Sequence, residues 1–129
     1  MITHASTVNI YVKDQQKALD FYVGKLGFEK RRDEPMGSSR WIEVAPKGAQ
    51  TSLGLALPTR DMGDDNYNRA LSLIGGWATF ILNVDNMEAT HAELKKRGVE
   101  FKEQPRKEPW GWWAAIKDAD GNIIGLHAF

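Results

Sequence analysis

Apolar and polar residues alternate along Thr7-Val8-Asn9-Ile10-Tyr11-Val12. That period of two predicts a strand with Val8, Ile10 and Val12 on one face. Asp14 then stands where a helix N-cap belongs. Ala18, Phe21, Tyr22 and Leu26 follow at helical spacing, and Gly27 suits the left-handed position that ends a helix. The pattern then recurs. Thr79-Phe80-Ile81-Leu82-Asn83-Val84 predicts a strand with Phe80, Leu82 and Val84 on one face. Asp85, with Glu88 three residues on, has the form of a capping box with Asp in place of Ser or Thr. Met87, His91 and Leu94 make the helical stripe, and Gly98 ends it. Gly27 and Gly98 are 71 residues apart, as are Asp14 and Asp85, whereas Val12 and Val84 are 72 apart.

The repeat runs on. Trp41–Val44 and Trp112–Ile116 read as strands, and Leu53-Gly54-Leu55 matches Ile124-Gly125-Leu126 at the 71-residue offset. Lys47-Gly48 and Asp118-Ala119-Asp120-Gly121-Asn122 supply hairpin turns. The charged, proline-containing stretches 29–36 and 102–109 complete a β-α-β-β-β order in each half. The chain is therefore expected to be an α+β domain spanning 1–129. Its modules cover about 1–57 and 78–129, joined by a linker, 58–77, with a short helix around Asn66–Leu73.

Composition narrows the chemistry. Lys plus Arg is 17 and Asp plus Glu is 17, giving no net charge and a pI near 6.8. Such a chain has no overall field for nucleic acid or an anionic membrane. No stretch approaches the ~18 apolar residues of a membrane span. Met1-Ile2-Thr3-His4 lacks the basic and apolar regions of a signal peptide, so a cytoplasmic location is expected. The absence of cysteine removes disulfides, thiolate nucleophiles and cysteine-ligated metals. No serine sits in a nucleophile elbow and no glycine-rich phosphate loop is present.

Val12-Lys13-Asp14, Ala18–Tyr22 with Leu26-Gly27-Phe28, Val84-Asp85, Leu94–Phe101 and Asp118–Asn122 together resemble the vicinal oxygen chelate superfamily. That superfamily includes glyoxalase I, extradiol dioxygenases and bleomycin-resistance proteins. The resemblance implies paired β-α-β-β-β modules forming a cup-shaped mixed sheet, with the helices on its outer face. It also implies a metal-ligand position in the first and last strand of each module. Carried over one by one, those positions hold Thr7, Gly54, Thr79 and Gly125. Glycine has no side chain and neutral threonine hydroxyls bind weakly, whereas a hard divalent ion needs carboxylates, imidazoles or several carbonyls. His4 has the wrong parity for the cleft and His91 lies on a helical stripe, which leaves His127. No metal and no cofactor are expected.

Alternation assigns a second face to each sheet. Asn9, Tyr11, Trp41 and Glu43 from the first module, with Asn83, Trp113 and His127 from the second, are expected to line the cleft. Parity leaves Trp112 and Trp113 ambiguous, and Ile116 favours Trp113. Gly54 and Gly125 are expected to leave room between the aromatic walls. The expected function is binding of an apolar or aromatic small molecule, for sequestration or sensing, in the style of the bleomycin-resistance branch. The alternative is an enzyme of lyase, isomerase or dioxygenase type, with a relocated metal or a His127/Glu43 acid–base pair. A third reading is an interaction module, since Trp110-Gly111-Trp112-Trp113 also suits a dimer contact. A homodimer is expected.

Overall fold

The computed structural model describes residues 1–129. The first unit, Met1–Ile74, contains β1 (Thr7–Tyr11), α1 (Gln15–Asp20), β2 (Glu29–Met36), β3 (Ser39–Ala45), β4 (Ser52–Ala56) and α2 (Asp64–Leu73). The second, Gly75–Phe129, contains β5 (Trp77–Asn83), α3 (Met87–Lys96), β6 (Phe101–Glu108), β7 (Gly111–Lys117) and β8 (Ile123–Ala128). Strand order is β1-β4-β3-β2 in one sheet and β5-β8-β7-β6 in the other. In each, the first strand pairs parallel with the last and the remaining pairs are antiparallel. The fold is thus α+β, with the same mixed topology written twice. The charged strands β2 and β6 both lie at sheet edges, where their charges and prolines disfavour pairing with another chain.

Alternation puts the expected residues under the helices. Ile10, Val12, Ile42, Val44, Leu53 and Leu55 are buried with Ala18, Leu19, Phe21 and Tyr22. In the second unit Ala114, Ile116, Ile124 and Leu126 are buried with Met87, Leu94 and Val99. Asp14 caps α1, its carboxylate accepting from the Lys17 amide. The helix then widens into a π turn over Phe21–Lys25, closed by the Leu26 amide on the Phe21 carbonyl at 3.2 Å. The cap of α3 is Asn86 rather than Asp85, its Oδ1 accepting from the Ala89 amide at 2.9 Å. Asn86 lies 72 residues after Asp14, matching the Val12–Val84 spacing, so the extra residue falls between cap and helix-ending glycine.

Two details prepare the site. First, β3 and β4 pair only at Glu43–Gly54 and Val44–Leu53. Beyond that point the buried Gln15 carboxamide of α1 bridges the two strands. It donates to the Arg40 carbonyl at 2.6 Å and the Leu55 carbonyl at 2.8 Å, and accepts from the Arg40 amide at 3.0 Å. One side chain thereby satisfies three backbone groups that a sheet ladder would otherwise have paired. Second, 58–77 is more than a connector. It contains a 3-10 turn at Arg60–Met62, and α2 starts at Asp64 and packs against β1.

Replacing Gln15 by Leu keeps the volume and strands those three groups. A loss of about 3 kcal/mol in unfolding free energy is expected, read by urea denaturation. A loss within about 0.5 kcal/mol, the range of an ordinary surface change, would show that the bridge is dispensable.

Candidate functional site

The helix-free face of the first sheet follows from its register. Asn9 and Glu43 flank Gly54, Thr7 lies beside Ser52, and Tyr11 beside Ala56. Trp41 is opposite Glu34 and Arg32 opposite Glu43. Arg32 is the residue that sequence reasoning missed here. Its guanidinium covers the Trp41 ring 4.1 Å from the centroid and reaches Glu43 at 4.0 Å and Glu34 at 3.7 Å. A cation in that position gains from the ring's negative face. It also occupies one side of a ring expected to be free for stacking. The bulge between Lys30 and Arg32 sets Arg32 on this face, and counting by twos along a charged strand does not reveal a bulge.

Gly54 is not an open space. The Asn9 carboxamide lies across it, and a methyl group at Gly54 would collide with Asn9 Oδ1. A 170 Å³ cavity lies beside this point, lined by Asn9, Trp41 and Gly54 together with Met36, Arg40, Ile42, Leu55 and Ala56. It sits where β3 and β4 diverge around the Gln15 bridge. Tyr11 borders a different cavity, shared with α2.

The helix-free face of the second sheet is aromatic. Trp113 pairs with His127, Ala115 with Gly125, and Asn83 and Ile81 with His127 and Gly125. Trp113 is therefore on this face, as Ile116 suggested, and Trp112 is on the other. The outer end of the Trp113 indole lies against Gly125, so a Cβ there would strike the ring. The room expected at this glycine is taken by a tryptophan that only glycine admits. Trp110 stacks on His127 with centroids 5.7 Å apart and meets Trp113 edge-on at 6.2 Å. Phe129 meets His127 edge-on at 4.7 Å. His127 Nε2 lies 3.2 Å from the Trp110 carbonyl. Gly111, at φ 124°, allows the chain to bring Trp110 back over β8.

Glu103 holds the central ring. Its Oε1 accepts from Trp113 Nε1 at 2.9 Å and from Arg106 at 3.1 Å, and Arg106 also binds Glu108 at 2.7 Å. The indole N–H, then the Arg106 guanidinium, hold the Glu103 carboxyl below the ordinary carboxylate range. Glu103 and Arg106 were legible only as edge charges. Register shifts on either side of Glu103 bring both residues to the Trp113 face despite their odd spacing.

The donor set does not fit a divalent cation. The four carried-over positions are Thr7, Gly54, Thr79 and Gly125, and the two glycines lie under the Asn9 and Trp113 side chains. No group of three or more His, Asp or Glu residues converges anywhere in the structure. Glu43 faces Arg32 and Thr7 in the first unit, and His127 lies between rings in the second.

The sequence profile of the Glyoxalase/Bleomycin resistance protein/Dioxygenase superfamily matches residues 2–126, and the chain belongs to that superfamily. The Bacillus subtilis (strain 168) protein YetH is 36% identical over 127 residues, covering 98% of each chain. Among solved structures, TnmS3, an antibiotic binding protein from Streptomyces sp. CB03234, is 38% identical with a TM-score of 0.80. That match covers 98% of this chain and 96% of TnmS3. A superfamily member from Sphaerobacter thermophilus DSM 20745 is 35% identical with a TM-score of 0.86, covering 99% and 98%.

Placing a methyl group at Gly125 forces Trp113 off the sheet. Gly125→Ala is expected to cost about 1–3 kcal/mol and to shift the tryptophan emission. The double variant Gly125→Ala/Trp113→Ala should recover part of that loss relative to the sum of the single changes. Strict additivity in a double-mutant cycle would show that the two residues do not touch.

Proposed function

We propose that this protein binds an apolar or aromatic small molecule on the helix-free faces of its sheets, for sequestration or sensing, without a metal. The carrying observation is the ring group of the second sheet. Trp113 is anchored by Glu103 and lies against Gly125, with Trp110 and His127 beside it and Phe129 against His127. Rings fixed in this way stack on a ligand with little further loss of conformational freedom. On this reading Trp113 and Trp41 supply stacking surface, with Tyr11 at the end of β1. Asn9, Glu43, Asn83 and His127 supply polar contacts. The similarity to TnmS3, an antibiotic binding protein, supports a small-molecule ligand.

The test is a thermal-shift screen of aromatic compounds on freshly purified protein, with and without EDTA, followed by Trp41→Ala and Trp113→Ala. A ligand that binds the folded state raises the melting temperature. Truncating a stacking ring should weaken affinity by about 1–3 kcal/mol, roughly 5- to 150-fold. A ring that only fills the interior would instead lower stability by about 3–5 kcal/mol and leave affinity alone. Binding that EDTA abolishes would overturn the metal-free part of the reading.

A homodimer belongs to the same proposal. Trp77 and Ile81, 51% and 59% exposed, project from the edge strand β5, and a second copy would cover them. Light scattering at micromolar concentration is expected to give twice the chain mass, and a purely monomeric result would refute it.

A further inference from the structure

We propose that the cavity between α2 and Tyr11 is a second small-molecule site, selective for a carboxylate carried on a small apolar body. Met62, Asn66, Arg69, Ala70 and Leu73 recur at helical spacing, so they share one face of the segment read from sequence as a linker. That face and Tyr11 border a half-open cavity of 350 Å³. The volume lies within the range of small-molecule sites, which the 170 Å³ cavity beside Asn9 does not reach.

The walls divide by chemistry. Ala70 is buried at one side, Met62 is half-buried, and Leu73 is 52% exposed, so a ligand body has apolar area still to cover. Ala70 is the only buried residue of α2, which leaves the helix lightly anchored by its own contacts. The polar groups are Tyr11, Asn66 and Arg69. The Asn66 amide nitrogen donates to the Met62 carbonyl at 3.1 Å. Arg69 is the cation that the local acids do not use. Arg60, in the same segment, has Asp64 at 3.9 Å and lies over the Tyr67 ring at 4.7 Å. Asp65, one turn before Arg69, stays outside ion-pair distance of it. A guanidinium in a cavity wall without a carboxylate partner matches a ligand carboxylate through two parallel N–H donors. The apolar remainder of the cavity favours one small anionic group over a polyphosphate.

The proposal stands apart from the ring group of the second unit, and one experiment separates them. 1-Naphthoate and its neutral analogue 1-naphthamide are titrated into the full chain, read by calorimetry and by amide and side-chain NMR shifts. Naphthoate is expected to bind more tightly than naphthamide and to shift resonances of Tyr11, Asn66 and Leu73. Arg69→Gln should weaken naphthoate on the order of tenfold and leave naphthamide unchanged. Leu73→Ser should weaken both. Equal affinity for the two probes, no naphthoate binding at millimolar concentration, or insensitivity to Arg69→Gln would overturn the proposal. Loss on Trp113→Ala with retention in Arg69→Gln would place the probe on the other unit, leaving the ring-group reading standing and this one refuted.

Discussion

A crossover from a first strand to a parallel last strand must pass over one face of the sheet, and in both units it carries a helix there. The other face is then left to whatever the alternation puts on it. Every residue proposed for binding follows from that constraint. Burial under α1 and α3 selects Ile10, Ile42, Ile116 and Leu126 for one side. The same backbone then sends Asn9, Trp41, Trp113 and His127 to the other, because neighbouring residues of a strand cannot share a face.

The two units use the shared frame differently. At equivalent glycines, the first lays a carboxamide over the backbone and the second lays an indole. The first face is charged, with Arg32 set among Glu34, Glu43 and the Trp41 ring. The second is a cluster of rings with a single anchored carboxylate beneath it. Exposed pairs such as Arg106 with Glu108 contribute little to stability in themselves, on the order of 0–1 kcal/mol. What they do is hold Glu103, and through it Trp113, in one orientation. A ring with one orientation can discriminate between ligand shapes, and a freely rotating ring cannot.

The fold was legible in the sequence because it rests on period-two and helical spacing, both of which survive in a single chain. The 71-residue offset identified the repeat, and strand parity placed Trp41 on the helix-free face, whereas parity left Trp112 and Trp113 open and only Ile116 favoured Trp113. What could not be read depends on departures from regularity. Bulges brought Arg32, Glu103 and Arg106 to faces that counting by twos does not assign them. The α3 cap fell one residue later than the Asp85–Glu88 pattern suggested, since Asn86 also offers a carbonyl oxygen at the right distance. Gly54 and Gly125 were read as leaving room, and the Asn9 and Trp113 side chains take it. An empty hollow and one filled by a neighbouring side chain have the same one-letter code. α2 was anticipated only as a short stretch within a linker, and its contact with β1 has no periodic signature.

The strand order also sets a timetable for synthesis. β1 has no partner except β4, so the ribosome must release residues through Ala56 before the first strand finds its place. Until then Ile10 and Val12 belong to an unpaired apolar segment, while β2 and β3 are already able to form their hairpin. The second unit repeats the delay, with β5 waiting for β8, the last strand made. Pairings of this kind pay for loop closure before the sheet rewards it, and they are slow to form for that reason. Each nascent half thus spends its longest exposed interval with its first strand unpaired.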